Sequence, residues 1–149
     1  MKARDLMTPD PARVTPSDSL QRVSQLMAEH DCGCIPVVTA ADQSSLIGVV
    51  TDRDIAVRAM AVARPATTPI GEIMTPNPDT VRPDDEIEYV ERLMSDRQIR
   101  RVVVVDGTGD CIGIIAQADL ARAAKRKSEP SPKEMVDVLE KISRPADVA

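Results

Sequence analysis

Aromatic side chains are almost absent from this sequence, which has one tyrosine among 149 residues and no tryptophan or phenylalanine. Proteins that bind single-stranded nucleic acid usually stack the bases on aromatic side chains, and no such platform can be built here. The formal net charge of −5 also argues against binding to a phosphate backbone. We therefore expect no nucleic-acid partner. The core must be aliphatic, which the hydrophobic content of 42% permits.

Long apolar runs, a secretory signal and a disulfide framework are also lacking. No stretch of about 18 apolar residues occurs, so no membrane span is expected. Residues 1–5 lead into patterned sequence without the apolar stretch of a signal peptide. The three cysteines are an odd number, which does not make a set of disulfides. These absences predict a protein of the reducing cytoplasm.

What the sequence does contain is an internal repeat. Asp-Leu-Met-Thr-Pro at residues 5–9 returns as Glu-Ile-Met-Thr-Pro at residues 72–76, an offset of 67 (74 − 7 for the methionines). After a loop that is shorter in the second copy, Gly-Val-Val at 48–50 returns as Gly-Ile-Ile at 113–115, an offset of 65 (113 − 48). Ordered matches with one change of length indicate a duplication.

Each copy predicts a βαββα arrangement of an α/β fold. An apolar helical stripe comes first, and two runs of β-branched residues follow, at 35–38 with 46–50 and at 102–105 with 111–115. Closing helices are expected to start near Asp52 and Gln117. A copy of roughly 55 residues makes a marginal core, so we expect the two to pack pseudo-symmetrically as one module.

The repeat also sets the expected domain boundaries. Repeat 1 is expected at residues 1–60, a linker at 61–71, repeat 2 at 72–126 and a charged tail at 127–149. Prolines and charges predict a hinge at 127–132. The tail beyond it is either a short helix with one apolar side or a frayed terminus.

These motifs resemble the CBS (cystathionine β-synthase) domain family, paired as a Bateman module. The resemblance covers about residues 3–126 and rests on the two Met-Thr-Pro openings, Ile-Pro-Val-Val at 35–38 and Gly-Val-Val-Thr-Asp-Arg-Asp at 48–54. It implies homodimers shaped like a disk, with ligand clefts between the repeats. It also implies adenine-containing ligands, usually AMP, ADP or ATP, and in some members S-adenosylmethionine or a dinucleotide.

Thr51 and Asp54 are the candidate ribose-binding residues of the first repeat. Their spacing places both side chains on one side of a strand-to-helix junction, and the resemblance implies a ribose-binding Thr-x-x-Asp element there. The same spacing also fits an ordinary capping box at a helix start. The second repeat keeps the acid as Asp119 but has Ala116 in place of the threonine, so we predict a weaker second site.

The purine is expected to lie among aliphatic strand residues, as in most small-molecule pockets. The candidates are Ile35, Val50, Val81 and Val102. Each of them can equally be an ordinary core residue.

Phosphate groups require cations, and arginine suits bidentate phosphate contacts. Arg100 and Arg101 match the basic positions that face phosphates in relatives, which the resemblance implies. Arg53 and Arg58, on the helix after Thr51, are further candidates. The alternative is a solvated charge cluster that pairs with nearby carboxylates.

No catalytic arrangement is evident, so we expect no enzyme and no required cofactor. There is no phosphate-binding Gly-x-x-x-x-Gly-Lys loop and no nucleophile with a base beside it. His30, Cys32 and Cys34 are weak candidates for zinc because their spacing is not that of a standard finger. A regulatory sensor of an adenine nucleotide is the leading hypothesis. The alternatives are a ligand-free dimerisation or stress scaffold and a metal or redox sensor.

Overall fold

The computed structural model describes residues 1–126 and 132–145. The elements follow in the order α1 (Ala3–Leu6), β1 (Thr8–Pro9), α2 (Leu20–His30), β2 (Cys34–Val38), β3 (Leu46–Thr51), α3 (Asp52–Asp54), a π-helical turn (Ile55–Ala59), two 3₁₀ turns (Met60–Val62 and Ile70–Glu72), β4 (Thr75–Pro76), β5 (Thr80–Val81), α4 (Ile87–Arg97), β6 (Arg101–Val105), β7 (Cys111–Ala116), α5 (Gln117–Arg126) and α6 (Pro132–Ser143). The predicted mixed α/β class is confirmed. The hinge predicted at 127–132 falls almost wholly outside the described residues.

The chain forms two compact units, and each unit takes segments from both repeats. We call them the repeat-1 unit, made of Asp10–Asp79 with Asp106–Cys111, and the repeat-2 unit, made of Met1–Pro9, Thr80–Val105 and the chain from Ile112 onward. Each opening Met-Thr-Pro segment therefore belongs to the unit of the other repeat.

The repeat-1 unit contains a three-stranded sheet in the order β2-β3-β4. Strands β2 and β3 are antiparallel, with Ile35 opposite Val50. Strand β4 adds to the free edge of β3, with Pro76 opposite Gly48. At the opposite edge of the sheet, Val14 makes a parallel bridge to Val37 of β2.

The repeat-2 unit contains a four-stranded sheet in the order β1-β7-β6-β5. Strand β5 runs parallel to β6, with Val81 opposite Val104. Strand β1 is antiparallel to β7, with Pro9 opposite Gly113. These pairings are the counterparts of those in the repeat-1 unit, so the duplication extends to strand order and register.

The methionines of the two opening segments explain why β3 and β7 each carry a glycine. A β-carbon added to Gly48 would lie 2.7 Å from the Sδ of Met74, and one added to Gly113 would collide with the Sδ of Met7. Each methionine thus lies directly on the strand backbone, where only a residue without a side chain leaves room.

Each unit has its own aliphatic core, as the composition requires. In the repeat-1 unit the apolar side of α2 packs on the sheet, and in the repeat-2 unit the apolar side of α4 does the same. The helix α6 packs on α4 and α5, and it buries Met135 and Ile142 to 5% and 1% exposure. Among the described residues, no helix has the length and apolar character needed to cross a bilayer.

Candidate functional site

The end of strand β3 brings Thr51 and Asp54 together. The backbone N–H of Thr51 donates to Oδ2 of Asp54 at 3.0 Å, and the backbone N–H of Asp54 donates to Oγ1 of Thr51 at 3.1 Å. This reciprocal pair is a capping box at the start of α3. The spacing therefore places the two side chains together as predicted, and the box holds them in a fixed orientation.

Arg58 occupies the other oxygen of the Asp54 carboxylate. Its Nε lies 3.7 Å from Oδ1 of Asp54, and the side chains are 50% and 15% exposed, respectively. An Nη of Arg58 also donates to the backbone carbonyl of Ile73 at 3.3 Å. Oδ2 of Asp54 is thus used by the cap, and Oδ1 lies beside the Arg58 cation. Arg53, also a predicted cation, is exposed at the start of α3.

The second repeat keeps this arrangement without the hydroxyl. The backbone N–H of Ala116 donates to Oδ2 of Asp119 at 2.7 Å, and Arg122 contacts Oδ1 of the same carboxylate. Asp119 is 12% exposed, much like Asp54. Ala116 has no side-chain oxygen to accept from the N–H of Asp119, so one bond of the box is missing.

Arg100 and Arg101 lie beside this second junction. The backbone carbonyl of Arg100 accepts from the N–H of Gln117, the first residue of α5, at 2.9 Å. In the repeat-1 unit the equivalent bond joins Gly33 to Asp52 at 3.0 Å. The repeat-1 junction thus has the hydroxyl without this basic pair, whereas the repeat-2 junction has the basic pair without the hydroxyl.

The four predicted purine-pocket residues all lie in the two cores. Ile35 and Val50 are 0% exposed in the repeat-1 unit, and Val81 and Val102 are each 2% exposed in the repeat-2 unit. Each one is packed by its own unit.

Val49 shares a face of β3 with Thr51 and was not singled out from the sequence. Successive strand residues point to opposite faces, so Val50 faces away from the side of β3 that carries Thr51, and Val49 shares that side. Val49 is partly buried and is not part of the repeat-1 core. Its counterpart Ile114 is likewise partly buried and lies outside the repeat-2 core. The alternation along the strand would have been sufficient to find both.

The weak zinc candidates do not form a cluster. His30 is exposed at the end of α2, Cys32 is partly buried and Cys34 is buried in β2. Cys111 bonds through its N–H to Ser44, at the opposite end of the β2–β3 hairpin from Cys34. Across residues 1–126 and 132–145, no three His, Cys, Asp or Glu side chains are grouped so that they could hold a metal ion.

Comparison with known proteins decides the family. The profile of the CBS domain matches residues 3–60 and again residues 70–126. The chain belongs to the CBS-domain family. The resemblance seen in the motifs is therefore confirmed, and the two copies are CBS repeats.

Three similar proteins each match about four fifths of the chain. The CBS domain-containing protein YhcV of Bacillus subtilis is 40% identical over 118 residues, which are 79% of this chain and 81% of that protein. The crystal structure of Hypoxic Response Protein I with two coordinated zinc ions has a TM-score of 0.73 and 32% identity, and covers 82% of this chain and 98% of that one. The crystal structure of CBSX2 in complex with AMP has a TM-score of 0.73 and 31% identity, and covers 84% of this chain and 96% of that one.

Proposed function

We propose that this chain is a non-catalytic regulatory module that binds an adenine nucleotide through Thr51 and Asp54. The observation that carries the proposal is the Thr51–Asp54 junction, where a fixed carboxylate presents its Oδ1 beside the half-exposed guanidinium of Arg58. The AMP complex of the similar protein CBSX2 supports an adenine nucleotide. AMP, ADP and ATP are the leading ligands, with S-adenosylmethionine or a dinucleotide as the alternatives.

The chemistry of the junction suits a ribose. Oδ1 of Asp54 can accept from a sugar hydroxyl, and the hydroxyl hydrogen of Thr51 can be donated because its Oγ1 acts as an acceptor in the cap. A hydrogen bond to a charged group contributes about 1.5–3 kcal/mol. Arg58 in the π-helical turn, half exposed, is the proposed phosphate-binding cation, and the exposed Arg53 of α3 is a second one.

The second junction would bind more weakly. Asp119 offers the same carboxylate, while Ala116 offers no hydroxyl, and a lost bond of this kind costs on the order of 1 kcal/mol. Arg100 and Arg101 are the proposed phosphate-binding cations here, because the backbone of Arg100 bonds to the first residue of α5. We also propose that the protein is a homodimer of the cytoplasm and transmits the bound state to a partner. Such coupling requires that the ligand favours one conformation over another.

Calorimetric titration with AMP, ADP, ATP and S-adenosylmethionine tests the proposal. Asp54→Ala should lower the affinity at least about tenfold because it removes a charge-assisted bond. Asp119→Ala should have a smaller effect on the total binding. Asp18→Ala is the matched control, since Asp18 accepts from the N–H of Thr15 at 2.8 Å in the same way but is not proposed to touch a ligand.

Two outcomes would count against this assignment. If wild-type protein binds none of the four compounds, the ligand-free scaffold becomes the better explanation. If Asp54→Ala binds as tightly as wild type, the ligand is held elsewhere. Thermal unfolding of each variant without ligand separates loss of the site from loss of the fold.

A further inference from the structure

Arg58 contacts two parts of the repeat-1 unit at once. Its Nε lies 3.7 Å from Oδ1 of Asp54 in the proposed ribose site, and an Nη donates to the backbone carbonyl of Ile73 at 3.3 Å. Ile73 is 2% exposed and belongs to the opening segment of repeat 2, residues 72–76. One guanidinium therefore joins the carboxylate of the site to the segment with which the second repeat begins.

Backbone bonds hold this opening segment in the repeat-1 unit. The N–H of Met74 donates to the carbonyl of Ile70 at 2.9 Å, and the N–H of Asn77 donates to the carbonyl of Ile47 at 3.1 Å. The chain then passes into the repeat-2 unit at Thr80. The segment is therefore a covalent connection between the two units, and a change in how tightly it is held concerns both repeats.

The second repeat does not repeat this link. With the offset of 65 that relates the two strand-to-helix junctions, the counterpart of Arg58 is Ala123 (58 + 65). Arg122 contacts the carboxylate of Asp119 instead, from three residues away, and its side chain is 68% exposed. Within the described part of the chain, Arg122 bonds to no backbone carbonyl. The link through Arg58 is therefore a feature of the first repeat that the duplication does not require.

A phosphate is a stronger partner for Arg58 than the two groups it contacts in the free protein. The Arg58 side chain is half exposed and its ion pair with Asp54 is long, and exposed ion pairs contribute little to stability. A phosphate carries more charge than one carboxylate and accepts two parallel bonds from a guanidinium. A nucleoside offers only sugar hydroxyls and the base, and these groups do not attract a cation in this way.

We infer that Arg58 makes the opening segment of repeat 2 respond to the phosphate of a bound ligand and not to its nucleoside. The inference rests on the proposed function, since it requires a ribose at Thr51 and Asp54. When a nucleotide binds, its phosphate takes the guanidinium, and the carbonyl of Ile73 loses its donor. The segment is then held less tightly. When a nucleoside binds, Arg58 stays on Ile73, so two ligands of one site favour different states of the segment.

Hydrogen exchange of the full chain with saturating AMP, compared with saturating adenosine, tests this inference. Calorimetry establishes saturation for each compound and each variant. In wild type, amides of residues 72–77 should exchange several-fold faster with AMP than with adenosine, because only AMP has a phosphate. In Arg58→Gln, which has no cation to transfer, the two compounds should give the same exchange. A residue needed only for folding would not make the segment distinguish the two compounds.

The matched control is Arg64→Gln, which removes an exposed guanidinium that bonds to Glu72 of the same segment at 2.7 Å and is not proposed to touch a ligand. It should keep the difference between AMP and adenosine. If Arg58→Gln fails to fold, Arg58→Lys takes its place, because a single ammonium lacks the fork that contacts two groups at once. It should also lose the difference.

Two results would overturn the inference while leaving the proposed function intact. One is that both compounds bind wild type and give the same exchange of residues 72–77. The other is that the difference between them persists in the folded Arg58 variant. If neither compound binds wild type, the proposed function fails and the inference fails with it.

Discussion

A single hydroxyl distinguishes the two strand-to-helix junctions. Asp54 and Asp119 both accept from the backbone N–H three residues earlier, at 3.0 and 2.7 Å. Only Asp54 also has its own N–H satisfied by a side chain, through Oγ1 of Thr51. Helix caps of this type contribute about 1 kcal/mol. The first junction should therefore be the more rigid of the two, independently of any ligand.

Restoring the hydroxyl in the second repeat tests this difference. Ala116→Thr should raise the free energy of unfolding by about 1 kcal/mol, and Thr51→Ala should lower it by a similar amount. Urea denaturation monitored by circular dichroism gives both values. If Ala116→Thr lowers the stability, the surroundings of residue 116 do not admit the larger side chain and the two junctions are not equivalent.

Part of this site could be read from the sequence. The spacing of Thr51 and Asp54 predicted their meeting because a strand end and the first helical turn are local structures. The pairing of Asp54 with Arg58 could also have been predicted, since residues four apart face each other on a helix. The bond from Arg58 to Ile73 could not, because it depends on how the later chain returns to the unit.

At the scale of elements, the contact between methionine and glycine packs each opening segment tightly against its sheet. Gly48 should not tolerate a side chain, because a β-carbon there lies 2.7 Å from a sulfur and 3.0 Å from the carbonyl oxygen of Thr75. Such overpacking costs about 1–3 kcal/mol.

Gly48→Ala should therefore lower the free energy of unfolding by about 1–3 kcal/mol. Gly107→Ala is the matched control, since nothing lies within 4 Å of the added carbon, and it should change stability by less than about 0.5 kcal/mol. Adding Met74→Ala to Gly48→Ala should recover part of the loss by removing the colliding sulfur. Equal losses for the two glycine variants would show that the contact is not what makes Gly48 necessary.

The sequence predicted the helices and strands better than it predicted which strands pair with one another. Runs of β-branched residues identified the central strand pairs in both repeats. Matching motifs establish that two segments are alike, but they do not say which sheet each one joins. The π-helical turn at Ile55–Ala59 was not predicted either. It arises where the N–H of Met60 bonds to the carbonyls of both Ala56 and Ile55. The helix α5, which occupies the corresponding position in the second repeat, shows no such turn.

At the scale of the whole molecule, the exchanged edge strands connect the stability of each repeat to the other repeat's opening segment. Met7 belongs to the opening segment of repeat 1 in the sequence but lies on Gly113 in the repeat-2 unit. Met74 belongs to the opening segment of repeat 2 but lies on Gly48 in the repeat-1 unit.

This arrangement predicts crossed effects of two matched substitutions. Met7→Ala should reduce hydrogen-exchange protection mainly in β6 and β7, because it leaves a cavity in the repeat-2 unit. Met74→Ala should do so mainly in β2 and β3. Each variant serves as the control for the other. Loss of protection mainly in the strands of the repeat that contains the altered methionine would contradict the exchange of edge strands between the repeats.

The exchange of opening segments between the two repeats also constrains how the gene could have begun. A polypeptide with one repeat would have an opening segment, and a sheet lacking the edge strand that the opening segment of another repeat supplies. Two such molecules could complete each other by trading their first few residues. Fusion of two copies would then have turned a trade between molecules into one within a single chain, and cutting the chain between its halves would not return two finished domains.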